Sequence, residues 1–385
     1  MKILIVLTYY RPHISGLTIY AERLAKAFVS RGHEVTVLTS GFKKELAAEE
    51  IVEGVRIVRA PVLFRLSKGV IMPTFGLIAN RLVREADVIQ LHLPQFDAAG
   101  ISFRGRLLRK PTVITYHCDL LMPPGLFNRI ANLGVTFMNQ LTGMFTHRIV
   151  TYTQDYADNS AYLKRYFNKL KIIPPPVVLP AVKKESVESF AREHNPQNRH
   201  PVIGMATRFA SEKGVEVLLK ALPEVIREYP DAVVQFVGTY QKVFSEQAYF
   251  ERLRPEIEKY QASGNWQFLG ELDPEQMAKF YPNLDVLTVP SLNSTEAFGL
   301  VLIEAMMNGV PCVTSSLPGV RQPVKIHDMG AIFPIGDSQA LAKGLIAVIK
   351  AGKANFKNKL DFSRYQPDDI AQAYEELFQD IRQTH

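Results

Sequence analysis

Residues 286–314 read VLTVPSLNSTEAFGLVLIEAMMNGVPCVT. A short apolar run at 286–289 stops at a proline, an apolar segment of helical length follows at 299–308, and a second short run occupies 311–314. Short buried strands that alternate with helices are typical of βα units around a parallel sheet. The stretch therefore predicts a strand, a loop, a helix and a second strand within an α/β fold.

The same alternation extends along the chain on both sides of this stretch. In the second half it predicts strands at 202–206, 232–237 and 266–269, with helices at 214–228, 247–261 and 274–281. In the first half it predicts strands at 2–7, 34–39, 55–59, 87–91, 112–116 and 148–152, and a helix at 16–31. Each half is thus predicted to form a doubly wound, Rossmann-like domain.

The length of the chain favours two such domains, because 385 residues is about twice the size of a usual domain. Three prolines at 174–176 and a stretch without periodicity up to residue 200 are typical of a linker. We therefore predict a first domain at 1–178, a linker at 179–200 and a second domain at 201–365. Two sheets of this kind leave a cleft between them, and we expect the active site there, at the carboxyl ends of the strands.

Composition excludes several classes of protein. Hydrophobic residues make up 47% and charged residues 22% of the chain, as in an ordinary globular protein. The two cysteines, Cys118 and Cys312, lie too far apart to predict a disulfide framework or a zinc site. The first apolar run is too short for a signal peptide, and the charge-free stretch 130–146 is too short and too polar to span a bilayer. We therefore expect a cytoplasmic protein.

The loop and helix that follow Pro290 predict an anion-binding site. The start of a helix presents backbone N–H groups and the positive end of the helix dipole to a ligand. The N–H groups concerned are those of Phe298, Gly299, Leu300 and Val301. Glu296 lies in the loop and Glu304 about one and a half turns into the helix. This spacing allows one carboxylate to contact a sugar and the other a ribose.

The segment EAFGLVLIE at 296–304 resembles the signature of the family-4 retaining glycosyltransferases, and the resemblance runs through most of the chain. It implies the GT-B fold, in which two Rossmann-like domains face each other across a cleft. Arg208 and Lys213, in TRFASEKG at 207–214, match the pair that contacts the donor diphosphate in that family. His117, in TYHCD at 115–119, matches its active-site histidine near the donor sugar.

The resemblance also implies roles for the remaining site residues. Glu296 would contact sugar hydroxyl groups, Glu304 the ribose, and Gly16 would belong to the glycine loop of the first domain. The tail at 366–385, with a helix at 368–381, would cross back to pack on the first domain. No Asp-x-Asp pair is present to hold a divalent ion, so we expect neither a metal nor another cofactor.

Some residues keep two interpretations. Asp119 is either a turn or capping residue or a contact for the acceptor, and Ser15 is placed with it on the acceptor side. A lone histidine is more often structural than functional, so His13 and His92 are given no role. No G-x-G-x-x-G segment occurs, which argues against a nicotinamide enzyme.

The charge of the chain is uneven. Residues 1–178 hold 23 Lys and Arg against 12 Asp and Glu, whereas the remainder holds 22 against 26. Residues 61–72, with Arg65 and Lys68, and residues 103–110, with four cations, combine positive charge with apolar side chains. Such segments suit the surface of an anionic membrane. The alternative is that they are ordinary solvated helix faces; nucleic acid is disfavoured because no recognition motif is present.

These features together predict a retaining, metal-independent glycosyltransferase that moves a hexosyl group from a nucleoside-diphosphate sugar to an acceptor hydroxyl group. The expected acceptor is a lipid or lipid-linked saccharide, met by a peripheral enzyme on the inner face of the cytoplasmic membrane. A nucleotide-sugar epimerase and a non-catalytic nucleotide-sugar-binding protein are the alternatives. Hydrolysis of a panel of UDP-, GDP- and ADP-sugars would distinguish the three.

Overall fold

The computed structural model describes residues 1–384 except 67, 68, 122–125, 242, 244, 245 and 360. The chain divides into two compact units. The first unit comprises Met1–Val177 and Ser363–His385, and the second comprises Val178–Phe362.

The first unit is built on an eight-stranded sheet. Its strands are β1 (Lys2–Val6), β2 (Glu34–Gly41), β3 (Glu49–Val52), β4 (Val55–Pro61), β7 (Val88–Leu93), β8 (Thr112–Tyr116), β9 (Arg148–Thr151) and β10 (Leu170–Ile172), while β5 (Phe64–Leu66) and β6 (Gly69–Ile71) form a separate antiparallel hairpin. The order is β10-β9-β8-β7-β1-β2-β4-β3, and every neighbouring pair is parallel except β3 with β4. Strands β7 and β8 are buried along their whole length, as expected for central parallel strands.

Helices cover this sheet. They are α1 (Gly16–Ser30), α2 (Phe75–Glu85), α3 (Ala98–Leu107), α4 (Leu126–Phe145), the short α5 (Gln154–Ala157) and α13 (Pro367–Thr384). Helices α2, α3 and α4 pack side by side, and α13 packs on α1. The Tyr374 hydroxyl of α13 lies 2.8 Å from the Tyr20 hydroxyl and 2.7 Å from Thr115 Oγ1, so the returning helix is bonded to the interior of the first unit.

The second unit has a six-stranded, fully parallel sheet. Its elements are α6 (Lys184–His194), β11 (Val202–Ala206), α7 (Val215–Glu228), β12 (Val233–Val237), α8 (Gln247–Ala262), β13 (Trp266–Gly270), α9 (Pro274–Phe280), β14 (Val286–Val289), α10 (Leu300–Met307), β15 (Cys312–Ser315), α11 (Arg321–His327), β16 (Gly330–Phe333) and α12 (Ser338–Ala351). The strand order is β13-β12-β11-β14-β15-β16. Phe209, Phe236 and Trp266 lie in its buried core.

The predicted α/β architecture and the return of the C-terminal helix are confirmed. The predicted linker at 179–200 differs from the structure, because residues 184–194 form α6, whose Phe190 is buried within the second unit. Helix α6 packs against α9. The chain returns to the first unit at Ser363, slightly before the predicted 366, and the Val177 N–H donates to the Tyr365 carbonyl there at 2.8 Å.

Within the described residues, no helix is both long enough and apolar enough to span a bilayer.

Candidate functional site

The order of the strands in the second unit fixes where its ligand site lies. From β11 the chain moves outward to β12 and β13, and then returns to the other side of β11 as β14. A crevice opens at such a switch point, outside the carboxyl ends of the two diverging strands. The loop after β11 carries Arg208 and Lys213, and the loop after β14 carries Glu296. The predicted donor site therefore coincides with the switch point.

Close backbone contact joins these two loops. Gly214 has a φ of +73°, and a Cβ atom there would lie 2.0 Å from the carbonyl oxygen of Pro290. The Leu292 N–H donates to the Glu212 carbonyl at 2.9 Å. Only glycine permits both the positive φ and this approach, so Gly214 holds the loop of Lys213 against the loop of Glu296.

Each cation of the site is paired with a carboxylate. The Lys213 ammonium donates to Glu296 Oε2 at 2.6 Å, and both side chains are mostly buried. The Arg208 guanidinium donates to Glu212 Oε1. Sequence reasoning placed Arg208, Lys213 and Glu296 in one site, and the structure brings Lys213 and Glu296 into contact. Glu212 was not predicted, because its contact with Arg208 arises from the conformation of the loop after β11 and not from a helical repeat.

Helix α10 starts beside this ion pair. Gly299 is its N-cap residue with a φ of +81°, and as a glycine it offers no side chain to cap the first turn. The first N–H groups of a helix have no partner inside the helix, so those of Gly299, Leu300 and Val301 can bind an anion. Phe298, which precedes them, is buried with an exposed fraction of 3%.

Glu304 lies in the middle of α10 and is 6% exposed. The Tyr281 hydroxyl donates to Glu304 Oε2 at 2.7 Å, and Tyr281 itself is fully buried. This hydrogen bond fixes the orientation of the carboxylate. Tyr281 was not predicted, because its closeness to Glu304 arises from the packing of α10 on the segment after α9.

In the first unit, Ser15 and Gly16 start helix α1. Ser15 is the N-cap residue, and its Oγ accepts from the Thr18 N–H at 3.2 Å. Gly16 is the first helical residue, so its N–H belongs to the positive end of the helix. Ser15 thus has a structural role in capping.

Asp119 is held by three hydrogen bonds. Its Oδ1 accepts from the Tyr116 hydroxyl and from Ser160 Oγ, both at 2.7 Å, and its N–H donates to the Tyr156 hydroxyl at 2.6 Å. These contacts give Asp119 a structural role, and its contact with an acceptor stays a prediction.

His117 follows β8 and is 8% exposed. Its Nε2 lies 2.7 Å from Nδ1 of His92, and its Nδ1 is hydrogen-bonded to the Tyr152 hydroxyl. Both ring nitrogens are thus occupied by protein groups, which leaves neither for a substrate in this conformation. Burial lowers the pKa of His117 well below its usual range, with a smaller effect from His92. The contact of His92 with His117 was missed, because it depends on the parallel pairing of β7 with β8.

Comparisons with known proteins bear on both units. The family model described as glycosyl transferases group 1 matches residues 186–377, and the model described as glycosyltransferase family 4 matches residues 14–179. Phosphatidyl-myo-inositol mannosyltransferase of Mycolicibacterium smegmatis is 24% identical over 357 residues, which cover 91% of this chain and 85% of the relative. An uncharacterised glycosyltransferase of Methanocaldococcus jannaschii is 26% identical over 352 residues, covering 86% and 85% respectively.

A solved structure shares the fold. The crystal structure of Anabaena HepE in complex with UDP superposes with a TM-score of 0.77 at 21% identity, and covers 99% of this chain and 100% of that one.

Proposed function

The chain belongs to the family-4 glycosyltransferases of the GT-B fold, and on that premise we propose that it transfers a hexosyl group from a nucleoside-diphosphate sugar to an acceptor hydroxyl group with retention of configuration. The observation that carries this proposal is the contact of Lys213 with Glu296 beside the start of α10. It sets a cation, a carboxylate and the first N–H groups of a helix at one switch point. The UDP bound by HepE supports a nucleotide donor.

In this proposal the leaving diphosphate is stabilised by groups of the protein. Arg208, Lys213 and the N–H groups at the start of α10 supply positive charge that is already in place before the reaction. We propose that no divalent metal or other cofactor is required. Glu304 holds the ribose and Glu296 orients the sugar through its hydroxyl groups.

We propose front-face attack for the chemical step. The bond between the anomeric carbon and the diphosphate oxygen breaks, the acceptor oxygen attacks from the same face, and the leaving phosphate takes the acceptor's proton. No covalent intermediate with a protein residue is needed, so Glu296 acts by orientation and charge.

The test is a panel of UDP-, GDP- and ADP-sugars, with donor consumption followed by NMR, with and without EDTA. We expect slow hydrolysis of one donor and unchanged rates in EDTA. The sugar released should keep the donor's configuration at its anomeric carbon. Epimerised nucleotide sugar would indicate an epimerase, and binding without turnover a non-catalytic protein. Inversion, or loss of activity in EDTA, would contradict the mechanism.

We propose a membrane lipid or lipid-linked saccharide as the acceptor. The name of the mycobacterial relative specifies a phosphatidylinositol acceptor for that enzyme. Helices α2, α3 and α4 of this chain, which pack side by side, form a surface suited to a bilayer. We call it the α2–α3–α4 surface; its exposed apolar side chains are Leu77, Phe103, Leu107, Ile130, Leu133, Phe137 and Met144.

Charge on this surface supports the same partner. Exposed cations lie on or directly beside its helices: Arg81, Arg84, Arg106, Arg109 and Arg129. The three helices contain a single acidic residue, Glu85. In contrast, α1 and the described part of α13 carry no large exposed hydrophobic side chain. Each well-placed cation adds about 1 kcal/mol of attraction to an anionic membrane.

The β5–β6 hairpin from the predicted segment 61–72 adds the exposed Phe64 and Ile71, whereas Lys68 lies outside the described residues. We propose that the enzyme is cytoplasmic and docks peripherally on the inner face of the cytoplasmic membrane.

Cosedimentation with anionic vesicles tests the docking. We expect binding at low salt that weakens at high salt, because exposed charges are screened. The double variant Leu133→Ser, Phe137→Ser should lose binding, whereas Ile335→Ser, at an exposed apolar site of the second unit, should not. The docking surface would be refuted if the wild-type protein did not bind at low salt, or if the double variant bound as well as the wild type. Neither result would refute the proposed transferase activity.

A further inference from the structure

Strands β1 and β7 form the switch point of the first unit. From β1 the chain moves outward to β2 and β4, and then returns to the other side of β1 as β7. Ligands of open parallel sheets bind outside the carboxyl ends of such strands. His92 lies at the carboxyl end of β7, and Gln95 follows it by three residues. Neither residue has a role in the function proposed above.

His92 and His117 form a stacked, hydrogen-bonded pair. Their ring centroids are 5.0 Å apart with an interplanar angle of 21°, and Nδ1 of His92 lies 2.7 Å from Nε2 of His117. The Tyr152 hydroxyl bonds to the remaining nitrogen of His117. Three groups at the carboxyl ends of the neighbouring strands β7, β8 and β9 thus form one hydrogen-bonded chain.

The direction of this chain follows from acid strength. A phenol is a better donor than a neutral imidazole N–H, and an imidazole nitrogen is a better acceptor than a phenol oxygen. Tyr152 therefore donates to Nδ1 of His117, and Nε2–H of His117 donates to Nδ1 of His92. The hydrogen of His92 is consequently on Nε2, which is the free end of the chain.

Both imidazoles are neutral. His92 is 1% exposed, and burial lowers its pKa to about 3. A neutral pair avoids the cost of placing two positive charges side by side in a buried site. The chain thus presents an uncharged N–H donor.

Three buried polar atoms at this end of β7 have no hydrogen-bond partner among the described residues. They are Nε2 of His92 and both amide atoms, Nε2 and Oε1, of Gln95, which is 3% exposed. A buried polar group left unpaired costs about 1–3 kcal/mol, and folded proteins contain few of them. Retaining three at a switch point indicates a ligand that supplies the missing partners.

We propose that His92 and Gln95 form a polar subsite of the first unit that binds a hydroxyl group of a substrate, and that His117 and Tyr152 position His92 for this contact. A hydroxyl group both donates and accepts, and so do an amide and an imidazole N–H taken together. The subsite is uncharged, which fits a sugar or polyol ring better than a phosphate. The inference rests on the proposed function, since the hydroxyl group belongs either to the donor sugar or to the acceptor.

Histidine NMR tests the hydrogen-bonded chain without any activity measurement. Long-range proton–nitrogen spectra of protein labelled with ¹⁵N-histidine distinguish the two neutral tautomers. We expect His92 and His117 to carry hydrogen on Nε2 and to remain neutral between about pH 5 and 8. Tyr152→Phe should mix the tautomers of His117. Titration of either ring in this range, or hydrogen on Nδ1 of His92, would overturn the proposal.

Kinetics tests the subsite. His92→Asn keeps an amide near Nδ1 but removes Nε2, and we expect the KM of one substrate to rise about tenfold, the effect of one lost neutral hydrogen bond, with kcat changed less. The substrate whose KM rises identifies the source of the hydroxyl group. His147→Asn is the matched control, because His147 is also buried but lies at the amino end of the same sheet. Its KM values should stay unchanged.

Gln95→Met gives a second, independent variant. It removes two unpaired polar atoms at similar volume, so the free protein should be at least as stable as wild type while the same KM rises. KM values within twofold of wild type in both variants would refute the subsite. If wild-type protein neither binds nor turns over any donor, the proposed function fails instead, whereas the NMR result stands on its own.

Discussion

At the scale of single residues, both cations of the proposed donor site are paired with carboxylates before a ligand arrives. Arg208 is paired with Glu212 and Lys213 with Glu296. A diphosphate must therefore compete with two carboxylates for the cations. This competition favours a ligand that offers several oxygens at once, because one phosphate oxygen could not replace both partners.

Removing either cation should slow transfer. We expect Arg208→Ala and Lys213→Ala each to reduce kcat by about 10²–10³, the usual loss when one preorganised donor to a developing negative charge is removed. Steady-state kinetics with the identified donor measures this, and circular dichroism checks the fold. Lys220→Ala, on the exposed face of α7, is the control. Turnover within about threefold of wild type would contradict the assignment.

Removing the carboxylate beside Arg208 should strengthen the binding of a nucleoside diphosphate. In Glu212→Gln the guanidinium no longer has a charged partner, so we expect nucleoside-diphosphate affinity to rise about two- to fivefold, which matches the small energy of partly exposed ion pairs. Calorimetric titration measures it. Weaker binding would show instead that Glu212 is needed to orient Arg208.

At the scale of helices and strands, the sequence predicts most of the elements that position the proposed donor site. Fully buried strands such as β12 and β14 appear as short apolar runs, and the glycine and proline residues around α10 mark its ends. The helix α6 was not predicted, because its sequence KESVESFAREH is almost entirely polar and buries only Phe190. A single buried side chain leaves too weak a periodic signal to detect.

The partners of the predicted residues are harder to derive. Glu212, Tyr281 and His92 each meet a predicted site residue. For Tyr281 and His92 the meeting depends on strand register or on the packing of separate elements, neither of which local patterns encode. His117 matches a family motif, yet both of its ring nitrogens are hydrogen-bonded within the protein, to His92 and to Tyr152.

The close approach of Gly214 to Pro290 predicts a large effect of a small change. Gly214→Ala combines the cost of a positive φ, about 1–2 kcal/mol, with a clash against a backbone carbonyl that cannot move aside easily. We expect a loss of more than about 2 kcal/mol in the free energy of unfolding. Gly270→Ala is the matched control, because its φ is +74° but no atom lies within 4 Å of the added Cβ. Equal losses in the two variants would refute the argument.

Fluorescence can assign this loss to one unit. The chain has a single tryptophan, Trp266, in the core of the second unit. When denaturant unfolding is followed by the emission of Trp266, the midpoint should shift to a lower denaturant concentration in Gly214→Ala.

At the scale of the whole molecule, the first unit is formed by two separate parts of the chain. Helix α13 is joined to the end of α1 by charged contacts, in which Arg31, the residue that follows α1, donates to both carboxylate oxygens of Glu375 at 2.6 and 3.0 Å. His33 Nε2 lies 2.7 Å from the same carboxylate. The hydrogen bond from Arg31, with help from His33, holds the pKa of Glu375 below its usual value.

This depressed pKa predicts how stability depends on pH. The contribution of Glu375 is fully present above its unfolded pKa of about 4.3 and is lost as the pH falls through its lower folded pKa. Glu375→Gln should therefore destabilise the first unit at pH 7, by about 1.5–3 kcal/mol, and should make its acid unfolding less steep. Circular dichroism should show the change while Trp266 emission does not. An unchanged pH dependence would contradict the role of the pair.

The interrupted first unit also sets an order of events during protein synthesis. Residues up to Val177 leave the ribosome first, but the helix that covers α1 with Tyr374 and Glu375 is translated after the entire second unit. At about 5–20 residues per second, the intervening 200 or so residues take roughly 10–40 seconds. During this time the nascent chain exposes the side of α1 that carries Tyr20 and Phe28. We therefore expect the second unit, although translated later, to be the first to finish folding.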